Sequence, residues 1–144
     1  MEINNDIVSC KSIAIVSGKG GSGKTMVAAT MTATLDSLGK KVLLVDADYG
    51  TAGLTYYMGL NTVANISMGL TNMSSQGNFS YESLKRYSQR MNGFENSHFI
   101  GIGDHRRYLK SSSKIDVENV FLQLVSESKE EYDFILIDCR GGID

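Results

Sequence analysis

A glycine-rich segment near the N-terminus carries the side chains best suited to chemistry in this sequence. Residues 18–25 read Gly-Lys-Gly-Gly-Ser-Gly-Lys-Thr and directly follow an apolar run at residues 13–16. They fit the pattern G-x-x-x-x-G-K-[ST], in which glycines let successive backbone N–H groups turn toward a phosphate. In such a loop the lysine, here Lys24, contacts the β- and γ-phosphates, and the hydroxyl group of Thr25 is a ligand for Mg²⁺. The segment predicts that the chain binds a nucleoside triphosphate.

Three aspartates follow apolar runs and could complete such a site. Asp46 and Asp48 come after the run at residues 42–45, and Asp138 comes after the run at residues 134–137. A lone aspartate at the end of a strand is most often a turn residue or a helix cap. Beside a phosphate loop, however, Asp138 is a candidate Walker B carboxylate that holds the hydration shell of Mg²⁺. For Asp46 and Asp48, the residues alone leave turn and site roles equally open.

A strand, a helix and a second strand are predicted around the phosphate loop. Residues 12–17 and 42–45 read as strands, and residues 24–38 read as a helix that Gly39 ends. Because only a few residues separate the helix from the second strand, the two strands are expected to pair in parallel through the right-handed crossover of a βαβ unit. The apolar residues expected along one side of the helix are Val27, Met31, Leu35 and Leu38.

The rest of the chain predicts two more helices and two more strands. Residues 81–91 read as a helix, and residues 99–102 and 134–137 read as strands. Residues 62–80 read as a flexible connection within the domain. Asp116 is placed to cap the last helix, whose apolar residues are Val117, Val120, Phe121, Leu124 and Val125. Continuous apolar strands fit a sheet covered on both faces, so we expect a three-layer α/β fold with a mainly parallel sheet, in one domain spanning residues 1–144.

The composition is that of an ordinary soluble domain and excludes several classes of protein. The 144 residues are 42% hydrophobic and carry a net charge of −2, which does not indicate a DNA-binding or anionic-membrane surface. No apolar run approaches the roughly 20 residues of a membrane span, and the N-terminus is not a signal peptide. Cys10 and Cys139 form no C-x-x-C pair. We expect a reduced, cytoplasmic setting, without a transmembrane segment and without DNA binding.

Three segments together resemble the MinD/ParA family of P-loop ATPases. Residues 17–25 look like its deviant Walker A loop, in which Lys19 matches the signature lysine. Residues 42–48 resemble the family's apolar strand ending in Asp-x-Asp, and residues 132–139 resemble its Walker B strand. The three motifs occur in the family's order and cover most of the chain. The resemblance implies the P-loop NTPase fold, with ATP and Mg²⁺ as the bound groups.

The resemblance also implies a role for each matching residue. Lys19 would reach across an ATP-sandwich dimer to the partner's phosphates, and Asp48 would orient the attacking water, so these two are the expected catalytic residues. Asp46 would lie near the Mg²⁺ shell and relay the nucleotide state, beside the metal-site residues Thr25 and Asp138. The expected nucleotide-binding residues are Gly18, Lys19, Gly20, Gly21, Ser22, Gly23, Lys24, Thr25 and Met26.

These roles describe an ATP hydrolase that cycles between a monomer and an ATP-bound homodimer. The resemblance implies that ATP and ADP are its ligands and that a protein partner stimulates its turnover. The alternative is a nucleotide-binding scaffold, or fragment, that does not hydrolyse ATP and acts through protein interaction. Lys19 favours the first hypothesis over an ordinary P-loop enzyme such as a kinase, which does not need a lysine there.

The sequence departs from the family near its C-terminal end. After the Walker B aspartate the family commonly has Pro-Ala-Gly or a similar small turn, whereas this chain has Arg140, Gly141 and Gly142. Whether Arg140 contacts nucleotide, a partner or only water is left open, as is the role of the basic turn at residues 105–107. Family members continue well beyond this point. We therefore expect the N-terminal portion of the family's domain, either as a fragment or as a protein that a partner chain completes. Its last strand would leave an unpaired sheet edge at the C-terminal side unless something covers it.

Overall fold

Residues 9–60, 68–75, 80–104 and 117–142 are described by the computed structural model. The strands in these ranges are β1 (Lys11–Ile15), β2 (Val42–Ala47), β3 (Gln89–Arg90), β4 (His98–Ile100) and β5 (Phe134–Cys139). The helices are α1 (Lys24–Ser37), α2 (Gly53–Tyr57), α3 (Leu70–Ser75), α4 (Tyr81–Tyr87) and α5 (Val117–Ser128). Of the helices in the described ranges, none has both the length and the apolar character needed to cross a membrane.

The five strands form one sheet in the order β1-β5-β2-β4-β3. β1, β5, β2 and β4 run parallel, and β3 pairs antiparallel with β4. In β5, Asp138 lies beside Ile15 of β1 on one side and beside Asp46 of β2 on the other. The carboxyl ends of these three strands therefore meet at the edge of the sheet where ligands bind in open α/β folds. The predicted mainly parallel sheet is confirmed.

Each face of the sheet has its own apolar core. In β2, Val42 and Leu44 belong to a cluster that includes residues of α1, whereas Leu43 and Val45 belong to a cluster that includes residues of α3, α4 and α5. Because successive side chains of a strand point to opposite faces, covering both faces requires an apolar residue at every position of the strand. The predicted three-layer architecture is confirmed.

Helix α1 packs with only part of the predicted set, since Met31 and Leu35 are half-buried against the core but the buried residues are others. Its buried residues are Ala28, Ala29, Thr32 and Asp36. By contrast, Val27 is 48% exposed and Leu38 is 68% exposed. Small side chains at positions 28 and 29 let the helix backbone lie close to the sheet, so the larger apolar side chains remain at the periphery of the contact. The predicted left-handed residue after the helix is present, since Gly39 has φ of 74°.

Several predicted boundaries also differ from the structure. β1 ends at Ile15, so the loop begins earlier than predicted. The helix predicted over residues 81–91 ends at Tyr87, because Ser88 has an extended backbone and the next two residues pair with β4. The connection predicted over residues 62–80 contains helix α3. The predicted cap Asp116 and the basic turn at residues 105–107 lie outside the described residues.

The unpaired edge near the site belongs to β1, and the expectation that the last strand would carry it is wrong. β5 pairs with both β1 and β2. In this central position Ile135 and Leu136 are completely buried. β1 contains polar residues, so it is less suited to a position in which both neighbours and both faces are covered. Within the described ranges β1 pairs only with β5, and its side chains are exposed or half-buried.

Candidate nucleotide site

The loop between β1 and α1 presents free backbone N–H groups at the start of a helix. Gly21 and Gly23 have φ of 71° and 84°, a left-handed conformation that glycine adopts at little cost. Gly23 is the N-cap of α1, and none of the described side chains caps this helix. Residues 18–23 are all exposed. Unpaired N–H groups and the helix dipole favour an anion at such a position, so the loop is built to receive a phosphate.

Side-chain hydrogen bonds tie this loop together around Ser17. The ammonium group of Lys24 donates to Ser17 Oγ at 3.0 Å, and Ser22 Oγ donates to the same oxygen at 2.7 Å. Ser17 Oγ in turn donates to the carbonyl oxygen of Lys19 at 2.8 Å. Ser17 therefore positions Lys24 over the loop. Sequence reasoning gave Ser17 no role of its own, although its place at the start of the loop was a usable signal.

Thr25 and Asp138 meet at the edge of the sheet although they lie 113 residues apart in sequence. Thr25 Oγ1 donates to Asp138 Oδ2 at 2.7 Å. Asp138 is only 2% exposed, and its Oδ1 has no hydrogen-bond partner within the described part of the chain. Burial raises the pKa of Asp138, against the opposing effects of the Thr25 hydrogen bond and the Lys24 charge. A buried carboxylate oxygen without a partner is costly, and a cation bound there would remove that cost.

The oxygens at this position fit Mg²⁺. Mg²⁺ prefers oxygen ligands and is usually held by one or two protein groups together with waters and substrate phosphates. Thr25 supplies a hydroxyl group and Asp138 a carboxylate. In the parts of the chain that the structure describes, no group of three or more His, Cys, Asp or Glu side chains could hold a metal ion. A metal ion at Thr25 and Asp138 would therefore depend on phosphate oxygens for the rest of its ligands.

Asp46 lies next to Asp138 in the sheet, but protein groups occupy its oxygens. Its Oδ1 accepts from the backbone N–H of Asp48 at 3.0 Å. Its Oδ2 accepts from the backbone N–H of Thr55 at 2.8 Å and from the Thr55 hydroxyl at 2.7 Å. Asp46 therefore fastens the start of α2 to the end of β2. Its role near the metal shell stays a prediction, and Thr55 is a partner that sequence reasoning missed.

We expect the stability of the ligand-free protein to fall as pH rises through the titration of Asp46. Burial, with a smaller contribution from Asp138, raises the pKa of Asp46 from 3.8 to about 6 despite three hydrogen bonds. Between these values the folded state binds more protons than the unfolded state, so the free energy of unfolding decreases with pH, by up to about 3 kcal/mol. Urea unfolding at several pH values between 4 and 7 measures this slope.

The Asp46→Asn variant is the comparison for that slope. It is expected to be less stable overall, because an amide cannot accept all three hydrogen bonds, but its stability should decrease less steeply across the same pH range. Asp138, whose pKa is also raised, is present in both proteins, so the difference between the slopes reports Asp46 together with its interaction with Asp138. Equal slopes for the two proteins would contradict the assignment.

Asp48 organises the turn that follows β2. Its Oδ1 accepts from the backbone N–H groups of Gly50 at 3.0 Å and Thr51 at 3.1 Å, and its Oδ2 accepts from the Thr51 hydroxyl. The same turn borders the metal position, because a Cβ added to Gly53 would lie 3.8 Å from Thr25 Oγ1. Asp48 is therefore brought near the site, while its carboxylate is bound within its own turn. Its role in orienting water stays a prediction.

Lys19 and Met26 are less closely connected to the other predicted site residues. Met26 is 60% exposed, and Lys19 is exposed as well. No described residue forms a hydrogen bond or ion pair with the Lys19 ammonium group. This arrangement leaves the Lys19 side chain accessible to a second molecule. Within one chain, no hydrogen bond or ion pair joins the Lys19 side chain to Asp48.

The segment after β5 lies directly against the phosphate loop. The backbone N–H of Gly142 donates to the carbonyl oxygen of Ser17 at 3.2 Å. A Cβ added to Gly141 would lie 2.6 Å from Lys24 Nζ and 3.0 Å from the carbonyl oxygen of Lys19. Position 141 therefore has no room for a side chain unless Lys24 moves. The sequence signal for Gly141 was its place just after the candidate Walker B aspartate, but it was not predicted as a site residue.

The sequence and the fold both match known proteins. The chain matches the family AAA_31, described as an AAA domain, over residues 10–143. It is 32% identical to the septum site-determining protein MinD of Synechocystis sp. over 132 residues, which cover 92% of this chain and 46% of that protein.

Solved structures of MinD proteins share the fold. The structure of MinD with Mg-ADP from Pyrococcus horikoshii is similar with a TM-score of 0.67 and 29% identity, over 94% of this chain and 51% of that one. MinD in the MinC:MinD complex of Aquifex aeolicus is similar with a TM-score of 0.71 and 29% identity, over 94% and 49% of the two chains. This chain thus spans about half the length of the proteins it matches.

Proposed function

Since the chain belongs to the AAA_31 family of AAA domains and has the fold of MinD/ParA-type P-loop ATPases, we propose that it binds ATP with Mg²⁺ and hydrolyses it. The observation that carries the proposal is the meeting of Thr25 and Asp138 beside the phosphate loop, with a buried carboxylate oxygen left unpaired by the described residues. Bound Mg²⁺ would pair with the Asp138 oxygen, and the phosphates of the nucleotide would accept from the N–H groups of the loop. The domain would include all of residues 1–144.

The proposed roles of the side chains follow from their positions. Backbone N–H groups of the loop and the Lys24 ammonium group bind the phosphates, and Ser17 holds Lys24 in place. Thr25 and Asp138 would hold Mg²⁺, which neutralises charge on the phosphate oxygens when bound. The support for these roles is the geometry of the loop and the fold shared with a MinD structure described as complexed with Mg-ADP.

Hydrolysis requires a water molecule aligned with the terminal phosphate. The water oxygen forms a bond to the γ-phosphorus as the bond to the ADP oxygen breaks. The electron pair of the broken bond leaves on ADP, and both protons of the water end on the inorganic phosphate. Asp48 would orient the water after its carboxylate is released from the Thr51 hydroxyl group. Positioning and charge stabilisation account for this reaction, without a covalent intermediate.

The proposal includes a nucleotide-dependent homodimer and a protein partner. The Lys19 side chain is exposed and its ammonium group makes no hydrogen bond or ion pair with any described residue, so it is accessible to the phosphates of a second copy. A MinD relative of similar fold is in a complex with MinC, which supports a protein partner for this chain as well. A cytoplasmic location is part of the same proposal.

A nucleotide-binding scaffold without turnover is the second candidate. The observation that favours it is the Asp48 carboxylate, whose two oxygens are both bound within its own turn. A carboxylate that already accepts three hydrogen bonds has little remaining capacity to orient water. The two candidates differ in turnover, not in nucleotide binding.

Phosphate release by the purified chain in Mg²⁺-ATP tests the proposal. We expect measurable turnover that falls about tenfold or more in Asp48→Ala, with the affinity for ATP changed less than about twofold. Glu130→Ala, which changes an exposed carboxylate distant in sequence from the loop, serves as the control and should behave as wild type. Saturable ATP binding with no phosphate release would establish the scaffold instead, and turnover insensitive to Asp48→Ala would refute the proposed role of that residue.

A further inference from the structure

The positively charged side chain of Arg140 lies beside the site and has no role in the mechanism proposed above. Arg140 follows β5 directly and is exposed. Within the described part of the chain its guanidinium group forms no hydrogen bond and no ion pair. The role of this unpaired arginine side chain, two residues after Asp138, is therefore unexplained by the mechanism above.

The guanidinium group lies against the turn that Asp48 organises. A Cβ added to Gly50 would lie 3.7 Å from Arg140 Nε and 3.8 Å from Arg140 Cζ. The same position is 3.3 Å from Asp48 Oδ1. The Asp48 carboxylate accepts its hydrogen bonds from the backbone N–H groups of Gly50 and Thr51 and from the Thr51 hydroxyl, and none from Arg140, whose guanidinium N–H groups remain available.

The backbone next to Arg140 is fixed on the phosphate loop. The close approach of Gly141 to Lys24 Nζ and to the carbonyl oxygen of Lys19 leaves this segment little freedom. Because Lys24 of such a loop contacts the β- and γ-phosphates, residues packed beside its ammonium group lie at the terminal-phosphate end of the site. Arg140 thus stands between the phosphate loop and the Asp48 turn, at that end.

We propose that Arg140 donates hydrogen bonds to the terminal phosphate of ATP bound to its own chain. This inference rests on the proposed function and deepens it. A guanidinium group presents a planar fork of donors that matches phosphate oxygens, and it stays charged at any physiological pH. Since ADP lacks the terminal phosphate, Arg140 distinguishes ATP from ADP. In hydrolysis it stabilises the negative charge on the phosphoryl group as the water oxygen bonds to phosphorus and the ADP oxygen leaves with its electron pair.

The ratio of affinities for two nucleotides tests this role without requiring turnover. We expect Arg140→Ala to weaken binding of a non-hydrolysable ATP analogue by about 10- to 100-fold, and binding of ADP by less than about twofold, in the presence of Mg²⁺. Arg140→Lys keeps the charge but loses the planar fork of donors, so its affinity for the ATP analogue should lie between those of wild type and Arg140→Ala. Arg86→Ala, which changes an exposed arginine on α4, is the matched control and should bind both nucleotides as wild type does.

The outcomes separate this inference from the proposed function. Equal loss of both affinities, or no loss of either, overturns the role of Arg140 while leaving nucleotide binding intact. A wild-type chain that binds neither nucleotide overturns the proposed function, and the role of Arg140 with it. A melting temperature equal to that of wild type excludes misfolding as the cause of weaker binding by Arg140→Ala.

Mixing two inactive variants tests whether Arg140 acts within its own chain. In a mixed dimer of Lys19→Ala and Arg140→Ala, the site on the Lys19→Ala chain has its own Arg140 and receives Lys19 from the partner. An equal mixture should therefore recover up to about a quarter of wild-type turnover, because half of the dimers are mixed and each has one complete site. If Arg140 acted across the dimer, no site would be complete and turnover would not recover.

Discussion

Asp138→Asn is expected to lower the affinity for ATP in the presence of Mg²⁺ by about 100-fold and to stop turnover. The amide keeps the size of the side chain and a hydrogen bond to Thr25, but it removes the charge on a carboxylate that is 2% exposed and has one oxygen unpaired among the described residues. Without that charge the Thr25 hydroxyl is left as the main protein ligand, which is too weak to hold Mg²⁺. Calorimetric titration of ATP with Mg²⁺ and with EDTA measures the loss.

The same substitution separates metal binding from folding. Burial raises the pKa of Asp138, so its charged form is unfavourable in the ligand-free protein. Asp138→Asn should therefore unfold at the same or higher urea concentration than wild type. Glu130→Gln, the control, alters an exposed carboxylate and should change neither the affinity for ATP nor the urea concentration at which the protein unfolds. If Asp138→Asn bound ATP as tightly as wild type and still required Mg²⁺, the metal position assigned to Thr25 and Asp138 would be wrong.

Asp36→Ala is expected to lower the free energy of unfolding by about 3 kcal/mol. The carboxylate lies on α1, is 8% exposed and accepts from the backbone N–H groups of Glu95 at 3.0 Å and Asn96 at 2.9 Å. It also accepts from the Ser97 hydroxyl at 2.7 Å. Alanine would leave these donors without their partner and open a small void between the helix and the segment before β4. Urea unfolding at neutral pH measures the difference.

Two comparisons make the Asp36 prediction specific. Ser97→Ala removes one of the hydrogen bonds and should cost about 1 kcal/mol. Burial by itself would raise the pKa of Asp36, but the hydrogen bonds from Ser97 and from the backbone outweigh it and lower that pKa. The stabilisation by Asp36 is therefore present above its unfolded pKa and lost as pH falls, so the deficit of Asp36→Ala should shrink in acid. A deficit that is independent of pH would point to the void alone as its cause.

The residues that sequence reasoning located best are those in contiguous motifs. The phosphate loop at residues 18–25 and Asp138 at the end of an apolar strand each combine a special residue with a local pattern. The parallel sheet followed from the same patterns, because a short helix between two apolar strands permits little else. Local patterns are thus sufficient to place the loop and Asp138 at one edge of the sheet.

The rest of the site depends on contacts between distant parts of the chain. No local sequence pattern predicts the role of Asp36, because its hydrogen-bond partners lie some sixty residues further along the chain. Gly141 is constrained by Lys24 and not by its own turn. The buried side of α1 was predicted from large apolar residues, whereas close approach to the sheet favours Ala28 and Ala29. Similarly, the sequence predicts that β5 is apolar but not that it lies between β1 and β2.

Titration calorimetry of ATP in the presence of Mg²⁺, with wild type and Lys24→Ala side by side, tests the central claim most directly. We predict saturable binding at a single site for wild type, weaker binding when Mg²⁺ is removed, and a loss of about 100-fold or more in Lys24→Ala. The melting temperature of wild type should rise with ATP concentration, and that of Lys24→Ala should not. Wild-type binding that is absent at millimolar ATP, or that Lys24→Ala retains in full, would contradict the claim that this loop is a nucleotide site.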